Sequence, residues 1–195
     1  MAKSYQEFIS SLNELSAFKN VQNRRDELIS EMSRLEDEGL NCFSCKGYCC
    51  TYEYNSMQVT PLEAVELFKY LVEQGRVNEE QIDQVISKYR LDKLLMAGSQ
   101  NLRRYYTCPF FKEGAKGCTI SRRSKPLGCL GFNALVPNVS ERGKCESNQE
   151  VLKKVDHKFT KDSDLCNEYI KKTLNIYWSK ESIPVAITEL KRLFY

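Results

Sequence analysis

Histidine, the commonest metal ligand in proteins, is almost absent from this chain. His157 is the single histidine among 195 residues, and it stands between Asp156 and Lys158 in a helical pattern, where we expect it to face solvent. A catalytic Cys–His pair would need this imidazole beside an activated thiol, and nothing in the sequence places it there. A glycine-rich loop of the kind that approaches nucleotide phosphates is also missing. These absences disfavour histidine-based catalysis and a nucleotide cofactor.

Long apolar segments are missing as well. The chain begins Met-Ala-Lys-Ser-Tyr-Gln-Glu-Phe, with no basic stretch followed by an apolar one, so no signal peptide is recognisable. No run approaches the roughly 18 to 20 apolar residues that span a bilayer. We therefore expect a cytoplasmic protein without a membrane partner, in a compartment that keeps thiols reduced.

Charge of either sign is not in large excess. The formal net charge is +3, which does not by itself indicate nucleic acid. Residues 103–106 and 122–125 combine cations with aromatic or polar residues, as nucleic-acid sites can. Both segments flank cysteines, however, and cations that balance thiolate charge explain them at least as well. Nucleic-acid binding is therefore not predicted.

Cysteine, by contrast, is abundant, with nine copies in the chain. A reducing compartment favours metal binding over disulfides, and a chain of this length with 42% hydrophobic residues can bury a core without cross-links. The odd number would also leave one cysteine unpaired after full oxidation. We predict that eight of the nine are metal ligands: Cys42, Cys45, Cys49, Cys50, Cys108, Cys118, Cys129 and Cys145.

The spacing of these residues suits sulfur ligation. Cys42 and Cys45 form a C-x2-C pair, which can chelate one ion from a tight turn. Cys49 and Cys50 are adjacent and their side chains diverge, so they either serve two neighbouring metals or only one of them is a ligand. The other four come singly and would draw distant loops together. Eight thiolates could hold two four-cysteine centres, or one iron–sulfur cluster and an accessory zinc.

The identity of the metal stays open. Cysteine followed by proline, as at Cys108, recurs at iron–sulfur ligands, whereas zinc is the commoner structural metal in all-cysteine sites. The predicted cofactor is therefore an iron–sulfur cluster, such as [4Fe-4S], or Zn²⁺.

Helical patterns flank the cysteines on the N-terminal side. Residues 3 to 38 carry apolar residues at spacings of three, four and seven, and Gly39 suits a helix end. Asn20, Asn23 and the pair Arg24-Arg25 interrupt the pattern, so two helices are as possible as one. The apolar stripe is most simply core packing. A coiled-coil contact with a protein partner through this segment is the alternative.

Further helices are predicted from capping signals. A Thr60–Glu63 capping box opens a helix that stops at Gly75, and Ser147–Glu150 forms a second such box. Other predicted elements are a short strand within 51–59, a helix from Asn78 to Gly98, an irregular loop over 105–146, and helical runs starting at 147, over 165–178 and over 184–193. The sequence thus predicts one mostly α domain with little or no sheet, divided into N-terminal helices (1–40), a cysteine core (42–145) and C-terminal helices (147–195).

The order of the cysteines carries a resemblance. The run C-x2-C-x3-C-C at Cys42 to Cys50, followed by Cys108-Pro-Phe, Cys118-x-Ile and Lys-Pro-x2-Cys129 with Phe132, resembles the cysteine-cluster family described as zinc- or iron-chelating proteins. The match covers residues 42 to 145. Lys125 and Leu130 stand where that family has arginines, so an anionic substrate held by those arginines would be lost or changed here.

The resemblance implies a metal-binding protein that holds an iron–sulfur cluster or zinc in thiolates. A similar cluster occurs in the bacterial flagellin lysine methylases, so the alternative is an iron–sulfur-dependent enzyme related to protein lysine methylases. Those enzymes are considerably longer than this chain. Cys166 lies beyond the resemblance in a helical run beside Asp164, and we expect it to be a small buried side chain rather than a ligand.

Overall fold

The computed structural model describes residues 4–42, 45–78, 83, 105–114, 117–137 and 145–195. This part of the chain is mostly helical with two small two-stranded sheets, as predicted. The helices are α1 (Tyr5–Glu14), α2 (Ser16–Asp37), α3 (Pro61–Glu73), α4 (Leu127–Leu130), α5 (Gln149–Leu174) and α6 (Ile183–Phe194). The strands are β1 (Gln58–Val59), β2 (Phe132–Ala134), β3 (Cys145–Ser147) and β4 (Glu181–Ser182), with β1 antiparallel to β4 and β2 antiparallel to β3. The helix predicted from Asn78 to Gly98 lies outside the described residues, apart from Asn78 itself and Asp83.

The N-terminal segment forms two helices that meet at Leu15. This residue has extended backbone angles and breaks the helical path between α1 and α2. Arg24 and Arg25, expected to interrupt the helix, lie inside an unbroken α2 and are buried. The helix ends as predicted: Gly39 has a φ of 84°, and the amide of Leu40 donates to the carbonyl of Leu35 at 2.9 Å, which satisfies an end carbonyl.

The apolar stripe of α2 packs within the chain, mainly against α5. Leu28 and Met32 are buried in a cluster with Val155, Phe159 and other residues. Ion pairs from Glu27 to Lys158 and from Glu31 to Lys154 flank this contact. The pairing shows that the two helices run antiparallel. Core packing, the first of the two interpretations of this stripe, is what the structure contains.

Helix α5 corrects two sequence predictions. It is one helix of 26 residues, where the sequence suggested separate runs, because the polar segment between them faces outward without breaking the backbone ladder. Its cap is Asn148, whose side chain accepts from the amide of Val151 at 3.1 Å. Ser147 cannot fill that role, since it is the last residue of β3. The left-handed residue Asn175 ends the helix.

Helix α3 begins with the predicted capping box, in which Thr60 and Glu63 exchange hydrogen bonds. It ends before Gly75, whose φ is 67°. Two side chains fasten its first turn to its neighbours. Asn167 of α5 accepts from the amide of Leu62 at 2.9 Å, and Glu63 accepts from the amide of Leu127 at 2.9 Å. The start of α3 is therefore held between α4 and α5.

The segment from 105 to 146 is less irregular than predicted, since its described residues include α4, β2 and the start of β3. The strand expected within 51–59 is confined to Gln58–Val59. Tyr106 is fully buried; its hydroxyl donates to the carbonyl of Met57 at 2.6 Å and accepts from the amide of Ile183 at 3.2 Å. Among the described residues, no helix has the length and apolar character to cross a membrane.

Candidate metal centre

One cavity of about 1270 Å³ lies where the end of α2, the start of α3, α4 and one face of α5 come together. Its walls include every one of the predicted ligands: Cys42, Cys45, Cys49, Cys50, Cys108, Cys118, Cys129 and Cys145. All nine cysteines of the chain are free thiols. Cys166 instead lies in the hydrophobic core with no exposed surface. The fold thus brings together residues more than 100 positions apart and separates the ninth cysteine from them.

The first cysteine segment is a compact turn. The amide of Cys45 donates to the carbonyl of Cys42 at 3.1 Å, and the amide of Gly47 donates to the sulfur of Cys45 at 3.3 Å. A 3-10 turn over Tyr48–Cys50 follows and places the adjacent cysteines at different points of the wall.

The second segment is joined to the first through the backbone. The amide of Cys108 donates to the carbonyl of Cys50 at 2.8 Å. Phe111 and Cys118 then form an isolated antiparallel bridge, supported by a bond from the amide of Thr119 to the carbonyl of Phe110 at 2.9 Å. These bonds bring Cys108 and Cys118 to the same side of the cavity as Cys50.

Two glycines allow this approach. Gly47 and Gly117 both have left-handed backbone, with φ values of 79° and 45°. A Cβ atom on Gly47 would lie 2.6 Å from the Cα of Gly117, a distance that real Cβ atoms do not reach. Only residues without side chains permit the two cysteine segments to touch here.

The third segment supplies Cys129 from α4 and Cys145 from the first position of β3. Cys145 is paired with Ala134 across the small sheet. Leu130, at a position where the resembling family has arginine, is buried against α2 and α5. An arginine there would have no room for its charge in this core. Lys125, at the other such position, lines the cavity, and Arg25 donates to its carbonyl.

The thiols interact with one another. Cys50 forms hydrogen bonds with the sulfurs of Cys108, Cys118 and Cys49, and these bonds raise the pKa of Cys50. The same thiol donates to its neighbours and thereby lowers the pKa of Cys49 and of Cys118; the ammonium of Lys125 adds to both effects. This side of the cavity therefore favours thiolate at some sulfurs and thiol at others.

At the other sulfurs, burial dominates. It raises the pKa of Cys42 to about 12, with nearby Cys145 contributing further. Burial likewise raises the pKa of Cys129 and of Cys145. The cause is that a thiolate without a counter-charge loses its hydration when it is buried. Ligation would reverse this preference, since a bound cation supplies the missing charge.

No group of three or more His, Cys, Asp or Glu side chains among the described residues is arranged so that it could hold a metal ion. Four of the thiols, those of Cys49, Cys50, Cys108 and Cys118, are instead joined by hydrogen bonds. Their chemistry nevertheless fits zinc and iron–sulfur clusters, because these take soft thiolate ligands at all-cysteine sites.

Sequence reasoning missed several polar residues of the same cavity. One face of α5 contributes Asp156, Thr160 and Asn167, and buried Arg24 contributes from α2. Two consecutive arginines within an otherwise apolar helix pattern were the available signal for Arg24. The three polar residues of α5 follow one another at spacings of four and seven, which places them on one face of the helix. Polar residues at such spacings usually form a face exposed to solvent, so this signal did not indicate a cavity. His157 is exposed, as expected.

Comparison of the chain with models of protein families, with curated proteins and with solved structures finds no match in any of the three.

Proposed function

We propose that this protein binds metal through the thiolates of its eight clustered cysteines, as an iron–sulfur cluster or as zinc. The observation that carries the proposal is the sorting of the cysteines. The eight residues of the spacing pattern line one cavity, and Cys166, outside the pattern, lies in the apolar core. Cysteines from segments that are distant in sequence line the same cavity, and a shared ligand for their sulfurs accounts for this arrangement.

The local structure supports ligation in a second way. The cysteine segments are held by turns, single bridges and short strands rather than by extended ladders. A metal that joins Cys42–Cys50 to Cys108–Cys129 would cross-link such segments, and binding to a site absent from the unfolded chain adds to the free energy of folding. We infer a cytoplasmic location for the same reason, because reduced thiols are needed for ligation.

The two candidate metals would give the site different chemistry. Zinc with four cysteines has no open position and acts structurally, whereas an iron–sulfur cluster supplies one-electron transfer. In either case the residues that would hold the metal are those that line the cavity. Lys125 would contribute positive charge to an otherwise anionic centre.

Anaerobic purification followed by elemental analysis and visible spectroscopy tests the proposal. Brown protein with iron and acid-labile sulfide would identify an iron–sulfur cluster, and colourless protein with zinc would identify a zinc site. Cys45→Ser should lose metal. Cys166→Ser is the matched control, because it removes a cysteine of the same fold that lies outside the cavity, and it should keep its metal. Metal-free wild-type protein from the anaerobic purification, or full metal retention in Cys45→Ser, would contradict the proposal.

The alternative of an iron–sulfur-dependent enzyme related to lysine methylases draws on the size of the cavity. Its walls continue beyond the sulfurs along α5 to Asn167 and, past the end of that helix, to Lys180, which leaves space for a group other than a metal. Mass spectrometry of flagellin lysines, after incubation with the iron-loaded protein and a methyl donor, tests it. Unmodified lysines would contradict this alternative and leave the metal-binding proposal untouched.

A further inference from the structure

Two arginines share a single carboxylate in the interior of the protein. The Nη2 atoms of Arg24 and Arg25 lie 2.7 and 2.9 Å from the same Oε2 atom of Glu66. Their side chains are only 4% and 10% exposed. Arg25 has a further acceptor in the carbonyl of Lys125. The three side chains together carry one positive charge in excess.

Arg24 has no comparable second acceptor. Its Nη1 atom is buried and has no hydrogen-bond partner within the described part of the chain. A guanidinium cannot lose its charge by deprotonation in a protein, and leaving such a donor unsatisfied costs stability. A buried orphan of this kind in a folded protein calls for an explanation, such as a bound water or ion.

The position of Arg24 indicates where an anion would come from, since the residue lines the large cavity. Contacts on either side of Arg24 show which part of α5 lies opposite this residue. Asn20 reaches Asp162, and Glu27 reaches Lys158, so Arg24 lies opposite residues near position 160. Thr160 and Ser163 line the cavity at this level. The hydroxyl of Thr160 already donates to the carbonyl of Asp156 at 2.7 Å, so the hydroxyl of Ser163 is the one that offers a further donor.

The charge balance at the arginine pair restricts the ligand. Elsewhere the cavity is lined both by carboxylates, such as Asp156 and Asp164, and by cations, such as Lys153 and Lys180. The excess at the arginine pair is one charge, so a monoanion neutralises it. Planar carboxylates match the guanidinium fork. We propose that this part of the cavity is a binding site for the carboxylate of a small ligand, with Nη1 of Arg24 as the recognising donor. The proposal does not depend on whether the cysteines hold metal.

Thermal unfolding of the full chain in sodium acetate, with sodium chloride replacing it at constant ionic strength, tests this site. At an acetate concentration about five times the dissociation constant, binding should raise the melting temperature by about 2–4 °C, in a saturable way. Arg24→Gln should lose this response. Arg122→Gln is the control: Arg122 lines the same cavity but is satisfied by Glu36 at 2.7 Å, and its variant should keep the response.

A direct measurement on the unaltered protein covers the case in which Arg24→Gln does not fold. A crystal structure of the wild-type protein in acetate should show the carboxylate within hydrogen-bond distance of Nη1. The proposal is overturned if only water occupies that position, if acetate acts no differently from chloride, or if Arg24→Gln responds like the wild type. A stronger response to phosphate than to acetate would overturn the assignment to a carboxylate.

Discussion

A Cβ atom placed on Gly117 would lie 2.2 Å from the Cα of Gly47. The two residues belong to different cysteine segments, so their contact fixes how closely Cys45 and Cys49 can approach Cys118. Backbone atoms form the contact on both sides and cannot move away as the end of a flexible side chain can. The cavity therefore depends on two residues that carry no functional group.

A side chain added at this contact should push the two cysteine segments apart and open the cavity. We expect Gly47→Ala to destabilise the protein by more than the roughly 1–2 kcal/mol that a left-handed alanine costs by itself, because the backbone clash is added, and to lower metal content. Gly75→Ala is the matched control. Gly75 has a similar φ of 67° with nothing within 4 Å of the added atom. Urea unfolding of both variants measures the difference, and equal losses would show that the contact is unimportant.

Removal of metal should loosen the cysteine segments before the helices. Chelator treatment is expected to lower the melting temperature, because metal bound only by the folded chain stabilises it. Hydrogen exchange should rise first at residues 105–114 and 117–130, while α2 and α5 stay protected by their apolar contact. Identical exchange and melting before and after chelation would refute a supporting role for metal.

Tyr5 should make stability depend on pH in the alkaline range. Burial, then the charge of Glu73, raises its pKa to about 12 from 10.0. Below about pH 10 the phenol is neutral in both states and contributes no pH dependence. Between pH 10 and about pH 12, the phenol of Tyr5 ionises in the unfolded chain but stays neutral in the folded chain, so stability falls as pH rises. Up to about pH 9, the free energies of unfolding of the wild type and of Tyr5→Phe should differ by a constant amount. At higher pH the wild type should lose stability relative to the variant. Parallel curves of unfolding free energy against pH, up to pH 12, would contradict the pKa shift.

Glu66 should be costly to neutralise. Glu66→Gln leaves two buried guanidinium groups without their shared carboxylate, and breaking such a buried pair costs about 3–5 kcal/mol. The control is Glu38→Gln, which breaks the exposed pair with Arg34 and should cost less than about 1 kcal/mol. Denaturant unfolding compares them. A small loss in Glu66→Gln would mean that another anion already neutralises the arginines.

Local signals in the sequence predicted much of the helical frame. The Thr60–Glu63 box and the helix end at Gly39 depend on hydrogen bonds between residues at most five positions apart, so the local pattern alone contains the cause. Asn148 shows where such reasoning fails. Ser147 fits a cap equally well in isolation, and only its pairing across the sheet with Phe132 passes the role to its neighbour.

Part of the candidate site could likewise be predicted from the sequence, and part could not. Cysteine spacing singled out the eight residues of the cavity wall, because clustered thiols are informative without knowledge of the fold. Arg24 could not be placed there, since its partner Glu66 is 42 positions away and belongs to a different helix. In sequence, adjacent arginines predict an interruption of the helix, whereas in the structure a carboxylate from α3 binds both of them.

The small sheet has a consequence for the order in which the centre would come apart. Cys145 begins β3 opposite Ala134, Cys129 lies in α4 just before β2, and the amide of Asn148 donates to the carbonyl of Gly131 at 2.8 Å. Backbone hydrogen bonds therefore join the two segments that carry these cysteines. If the cysteines bind metal, these two segments would stay joined after the metal leaves, and the other cysteine segments would separate from them first.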